Sequence, residues 1–245
     1  MTEAGKKALV LGATGAVGKA LLRDILKADT YASVTALGRR EVTLDDTVPK
    51  EKLVQRTVDF ENLESSRSDF KGYQDVFCCL GTTRAAAGSA EGFRKIDHDY
   101  VVNSAKIVAE ENPGPSGGLS PVHYLYCSSL GANKNSMFLY TQSKGQTEQD
   151  IIDVGFKQVS IFRPSFLRVE EERPRTGLAE SVLGKVLSFT KPLGLNMEVP
   201  VGVVGRAMIY AAAHPAANTE STGKTASHFY SGKELDEMGG ANTTA

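Results

Sequence analysis

The chain has 245 residues, 41% hydrophobic and 23% charged, with 24 Gly and no Trp. That composition suits one α/β domain and excludes disorder, collagen and coiled coil. With 28 Lys+Arg against 29 Asp+Glu, the net charge is −1, so no global field draws the chain to a polyanion, and no basic density points to nucleic acid.

Residues 1–7 are polar and run directly into an apolar strand, which leaves no room for a secretory or Arg-rich presequence. The chain is therefore expected on the cytosolic side. Short apolar runs give strands over 7–11, 34–37, 53–58, 75–80, 121–127 and 159–162. Helical spacing marks Val17, Leu21, Leu22, Ile25 and Leu26, and helices are expected over 97–111, 138–154 and 203–213. Strands alternating with helices imply a doubly wound parallel sheet, because parallel neighbours need crossovers and the crossovers cover both faces. Residues 112–121 read as a Pro/Gly loop within one domain spanning 1–245. Past Arg163 the alternation fails, and 165–245 is expected as a small C-terminal lid. Within it, Leu178, Val182, Val186 and Phe189 follow helical spacing, which suits core packing, pocket closure or a bilayer surface. No run is long and apolar enough for a membrane span.

Gly12, Gly15 and Gly18 form a GxxGxxG turn directly after the first strand. Glycine is needed where backbone meets a pyrophosphate and where helix packs on strand, and the amides of a helix start attract phosphate. The second strand ends in Gly38-Arg39-Arg40 where an NAD enzyme usually carries an acid. Two guanidiniums suit a 2′-phosphate, so NADPH is the expected cofactor. After the fourth strand, Leu80, Gly81 and Thr82 are placed for the ribose and nicotinamide half, while Asp59 and Phe60 end the third near adenine. An Asp there is equally an ordinary helix cap.

Tyr140 and Lys144 stand four apart in an expected helix, so they share a face, with Ser128-Ser129 just upstream. In a carbonyl reduction Tyr donates a proton, Lys supports the Tyr and the nicotinamide ribose, and Ser orients the carbonyl. Ser129 is the named candidate and Ser128 its alternative. A YxxxK pair is expected by chance about half the time in such a composition, so its position after strand five carries the weight. The three cysteines, Cys78, Cys79 and Cys127, have no metal or CxxC spacing, and the four histidines are scattered, so no metal site is expected.

The segments LGATGAVG, GRR, FCCLGTTRAAAG, GFRKIDHDY, SSLGANKNSMFLYTQSKG and FRPSFL together resemble an atypical, extended short-chain dehydrogenase/reductase. More narrowly, they are similar to the family of the human HIV Tat-interactive oxidoreductase-like protein and its fungal mitochondrial outer-membrane relatives. The resemblance spans about residues 7–215. It implies an NADPH-binding Rossmann protein whose cofactor positions fall on Thr14, Gly15, Ala16, Val17, Arg39, Arg40, Leu80, Gly81, Tyr140, Lys144, Leu167 and Arg173, with Tyr140 as acid/base. It also implies attachment at the mitochondrial outer membrane. Gln142-Ser143, the run Glu170 to Glu172 and the C-terminal tail depart from the family pattern, which concerns the substrate pocket and partner surface. Two functions follow: an NADPH-dependent reductase of a small carbonyl compound, or an NADPH-loaded binding protein that engages a protein or membrane partner without turnover.

Overall fold

The computed structural model describes residues 5–169, 198–216 and 224–240. β1 (Lys6–Leu11) leads into α1 (Ala16–Lys27), whose buried residues Val17, Leu21, Leu22, Ile25 and Leu26 lie against the sheet. β2 (Tyr31–Gly38), β3 (Leu53–Thr57) and β4 (Asp75–Cys78) follow. Next come the short helices α2 (Arg84–Ala87) and α3 (Ala90–Arg94), then α4 (Tyr100–Glu111), β5 (Ser120–Cys127), α5 (Leu139–Asp153) and β6 (Phe156–Arg163). The remaining elements are a two-stranded pair, β7 (Phe166–Arg168) with β8 (Glu198–Pro200), then α6 (Val201–Ala213), β9 (Ala226–Ser231) and α7 (Lys233–Gly240).

Seven strands form one sheet in the order β3-β2-β1-β4-β5-β6-β9, and every pairing is parallel. The chain winds outward from β1 to β3, crosses back, and winds the other way from β4. This reversal opens a crevice beyond the C-terminal ends of β1 and β4. Both faces are covered, which is why the central strands are apolar on both sides. One face packs Leu21, Leu22, Val204 and Met208 from α1 and α6, and the other packs Val101, Val108 and Ile151 from α4 and α5.

Three details differ from the sequence expectation. β4 stops at Cys78, so residues 79–81 follow the strand as part of the crevice wall. The helix expected from 97 begins at Ala90 and runs through a π turn at Lys95–Asp99, where an extra residue breaks the 3.6 period on which the reading relied. The stretch expected as a lid also contributes to the main body. α6 buries Val204, Ala207 and Met208 in the core, and β9 pairs with β6 as the seventh strand. The amphipathic segment 178–189 and Arg173 lie outside the described residues.

Asp75 of β4 lies opposite His123 of β5, and Ser160 of β6 reaches His123 from two residues further along its strand. His123 Nε2 is 2.8 Å from Ser160 Oγ, and Asp75 Oδ2 accepts a 2.8 Å bond from the Tyr31 hydroxyl. The residue types suggest a triad, but all three are buried within the sheet, and His123 Nδ1 stands 3.8 Å from Asp75 Oδ1, beyond hydrogen-bond range. Burial pushes His123 down from 6.5 to about 4, helped by the Lys6 charge, so the ring is neutral at neutral pH. The unfolded imidazole takes up its proton near 6.5 and the folded one only near 4. This contribution to stability is therefore complete above the upper value and is lost as pH falls to the lower one, by about 3 kcal/mol. Burial raises the Asp75 carboxyl, which acts in the opposite sense. His123→Gln should remove most of that acid loss in denaturant unfolding measured across this pH window; an unchanged slope would show that His123 is not its source.

Candidate active site

The crevice is built on the turn after β1. Gly12 has φ +82°, and a Cβ there would stand 2.6 Å from the Cys79 backbone. A Cβ on Gly18 would fall 2.2 Å from the Gly12 carbonyl oxygen, so only glycine lets α1 pack this tightly on the turn. Gly15 N donates to Gly12 O at 3.0 Å and closes the loop. Gly15 caps α1 without a side chain, and the first turn of the helix carries no acidic residue. Its leading N–H groups and dipole therefore favour an anion.

A cleft of about 540 Å³ extends from this turn. Arg39 and Arg40 stand exposed at one end, past β2, and Leu80 and Gly81 form the wall past β4. Phe60 and Tyr100, stacked with centroids 5.1 Å apart, close the side. Thr14 and Gly15 complete the floor beside Gly12. Ala16 and Val17 lie in the first turn of α1, with Val17 packed into the core. The Asp59 carboxylate accepts from Glu61 N at 2.9 Å and closes a turn, so it is Phe60 that reaches the cleft. Thr82 N sits 3.4 Å from Asp97 Oδ1, and Leu167 packs from β7 against the core.

The chemically active groups gather where β4, β5 and α5 end or begin. Lys144 is 4% exposed, and its Nζ lies 3.1 Å from both Asp97 Oδ1 and the Tyr126 hydroxyl. Burial alone pulls the ammonium toward neutrality, but Tyr126 and Asp97 outweigh it and hold Lys144 well above the usual lysine range. Burial drives the Tyr126 phenol upward, so its hydroxyl stays neutral and acts as a hydrogen-bonding partner. Tyr140, one turn before Lys144, is half-exposed with its ring 5.7 Å from that of Phe93.

The two serines have separate situations. Ser128 Oγ donates to Glu148 Oε1 at 2.6 Å, and Glu148 is held in turn by Arg163 through contacts of 2.9 and 2.5 Å. Ser129 Oγ is buried with no hydrogen-bond partner among the described residues. Asp97, Tyr126 and the Glu148–Arg163 pair were missed in the sequence. The KIDHD wording carried the only signal, and a π turn is what brings its Asp97 inward. The thiols of Cys78, Cys79 and Cys127 are all pushed up by burial, the last to about 11, which makes them poor nucleophiles. Among the described residues no cluster of three His, Cys, Asp or Glu side chains converges on one point.

A family model described as NAD(P)H-binding matches residues 12–215. The chain belongs to this NAD(P)H-binding family. It is 36% identical to Protein HTATIP2 of Rattus norvegicus over 233 residues, covering 94% of this chain and 91% of that protein. It is 35% identical to the mitochondrial Protein FMP52 of Candida albicans over 203 residues, or 82% of this chain and 85% of the relative. Among solved structures, a short-chain dehydrogenase/reductase of Saccharomyces cerevisiae superposes with TM-score 0.63 at 14% identity, covering 96% of this chain and 99% of the other. A UDP-Glc/GlcNAc 4-epimerase of Campylobacter jejuni gives 0.64 at 12%, covering 97% and 85%. These likenesses show an NAD(P)-binding Rossmann fold of the short-chain dehydrogenase and epimerase type. Among the described residues no helix is long and apolar enough to cross a membrane.

Gly12→Ala adds a methyl group where φ is positive and the Cys79 backbone is in the way, so it should lower stability by about 1–3 kcal/mol. It should also abolish the rise in melting temperature that a nicotinamide dinucleotide gives the parent chain. A variant that melts and responds like the parent contradicts the close approach.

Proposed function

We propose that the protein is an NADPH-dependent reductase of a small carbonyl compound. The observation that carries this reading is the buried Lys144 ammonium, one helical turn from the half-exposed Tyr140 and beside Gly81 of the cleft wall. The cradle suits the dinucleotide. The turn at Gly12 leaves no room for side chains, and the start of α1 offers amides without a competing carboxylate. In this reading the amides of Thr14 and Gly15 hold the pyrophosphate, Arg39 and Arg40 the 2′-phosphate, and Lys144 the nicotinamide ribose. When bound, the nicotinamide supplies a hydride to the carbonyl carbon.

The chain's own residues do the rest. Ser129 O–H donates to the carbonyl oxygen and orients it, which uses the hydroxyl left without a partner. The Tyr140 hydroxyl gives its proton to that oxygen as the C–O bond becomes single, and the phenolate recovers a proton from solvent, which its half-exposed position allows. The Lys144 charge stabilises the phenolate in between.

A second reading, a nucleotide-loaded binding protein, is favoured by Met137 and Phe138, which stand 98% and 78% exposed just before Tyr140. Under either reading we place the protein at the mitochondrion, as the names of the fungal relatives suggest, and propose a peripheral position at its outer membrane.

Tyr140→Phe should slow NADPH oxidation at least about a hundredfold against a carbonyl identified by screening, while NADPH affinity persists. Undiminished turnover would remove Tyr140 as the acid, and a biological activity that survives the change would favour the binding role. Replacing Arg39 and Arg40 together by Ala should weaken NADPH at least about tenfold more than NADH, read from the ligand dependence of the melting temperature. Equal weakening contradicts the phosphate assignment.

A further inference from the structure

Lys144 is a cation with almost no water around it. The groups whose fields act on it are Tyr126, Tyr140, Asp97 and the thiols of Cys78, Cys79 and Cys127. Burial keeps the thiols and the Tyr126 phenol neutral, so the carboxylate facing the ammonium is that of Asp97. An ammonium has three N–H donors. One is directed to the Tyr126 hydroxyl and one to Asp97 Oδ1, each at 3.1 Å, which leaves a third. The cleft wall passes alongside, since a Cβ on Gly81 would stand 3.4 Å from Lys144 Nζ and 3.2 Å from Asp97 Oδ1.

Asp97 is delivered by a fixed device. Its side chain is 0% exposed and sits on the π turn between α3 and α4. That turn is tied to α5 twice: Thr147 Oγ1 donates to the Asp97 carbonyl at 3.3 Å, and His98 Nε2 meets Asp150 Oδ2 at 2.7 Å. His98 Nδ1 meets Asp99 Oδ1 at the same distance. The helix carrying Tyr140 and Lys144 and the turn carrying Asp97 therefore hold one geometry. The other carboxylate oxygen, Oδ2, is buried with no hydrogen-bond partner among the described residues. Leaving a carboxylate oxygen in that state is costly, which argues against Asp97 being an incidental core residue.

Resting on the reductase reading, we infer that Asp97 is the positioning residue of this site: together with Tyr126 it fixes the Lys144 ammonium beside Gly81, with one N–H left for the nicotinamide ribose of the cofactor. It acts through Lys144 and does not touch the reacting atoms. Without the carboxylate, burial would disfavour the ammonium against the tyrosines alone, with Tyr126 still in hydrogen-bond contact, and Lys144 would give up its proton at a lower pH than in the parent.

The isosteric variant Asp97→Asn tests this by calorimetry of NADPH binding to the full chain between about pH 6.5 and 9.5. The parent should bind with little pH dependence of this origin. The variant should lose affinity as pH rises, approaching about tenfold per unit once above the new Lys144 midpoint. A purely structural defect would weaken binding equally at every pH, and either that outcome or unaltered binding overturns the inference. Should the variant not fold, ¹³C-labelled lysine ε-carbon resonances of the parent, assigned with Lys144→Met, give a second measurement: Lys144 should keep its proton above the range in which the other lysines titrate, and titration within or below that range overturns the inference. If the parent chain itself binds no NADPH, the reductase reading fails with it, whereas a flat Asp97→Asn profile defeats only the role of Asp97.

Discussion

A buried ammonium cannot be left alone. Moving such an ion out of water costs several kcal/mol, and the fold must supply an opposite charge with good geometry or the lysine gives up its proton. Lys144 is met by Asp97 and Tyr126 at equal distance, and satisfying it ties four parts of the chain together. These are the backbone at Gly81 after β4, the π turn before α4, the end of β5, and the first turns of α5. All lie at the C-terminal edge of the sheet, where the reversal of strand order has already opened a crevice.

The same logic appears a short way along α5. Glu148, also buried, is neutralised by Arg163 from β6, and the pair is completed by the Ser128 hydroxyl. By occupying Ser128, this second pair fixes the β5 end, while the neighbouring Ser129 hydroxyl has no partner among the described residues. At the other end of the crevice the electrostatics are open to solvent. Two exposed guanidiniums and an uncapped helix start present positive charge along the cleft. An elongated ligand bearing phosphates at one end and a neutral hydroxyl-rich group toward the other would meet complementary partners along its length.

Much of this was legible in the sequence. The glycine turn is dictated by contact distances that only glycine tolerates, so its spacing survives as a readable pattern. The central strands are read as apolar runs because both faces are covered. Arg39 and Arg40 follow the second strand directly, and Tyr140 and Lys144 show themselves by helical spacing. The unread parts have physical causes. Asp97 looks like a polar residue at a helix start, and only the extra residue of the π turn directs it inward. Tyr126 reads as one more aromatic in a core strand, with nothing local to mark its hydroxyl as the partner of Lys144. Ser128 and Ser129 are indistinguishable until Glu148, twenty residues away, selects one of them. β9 lies at the sheet edge with Tyr230 as its one buried side chain, and β7 and β8 span three residues each, so none has the apolar run by which a strand is recognised.

The most direct measurement is isothermal titration of the full chain, stripped of nucleotide and shown to be folded, with NADPH and with NADH. One site per chain with NADPH clearly the tighter ligand is the expected result. No measurable heat and no affinity for either dinucleotide would contradict the assignment of the cleft, and with it the chemistry proposed for Tyr140, Lys144 and Ser129.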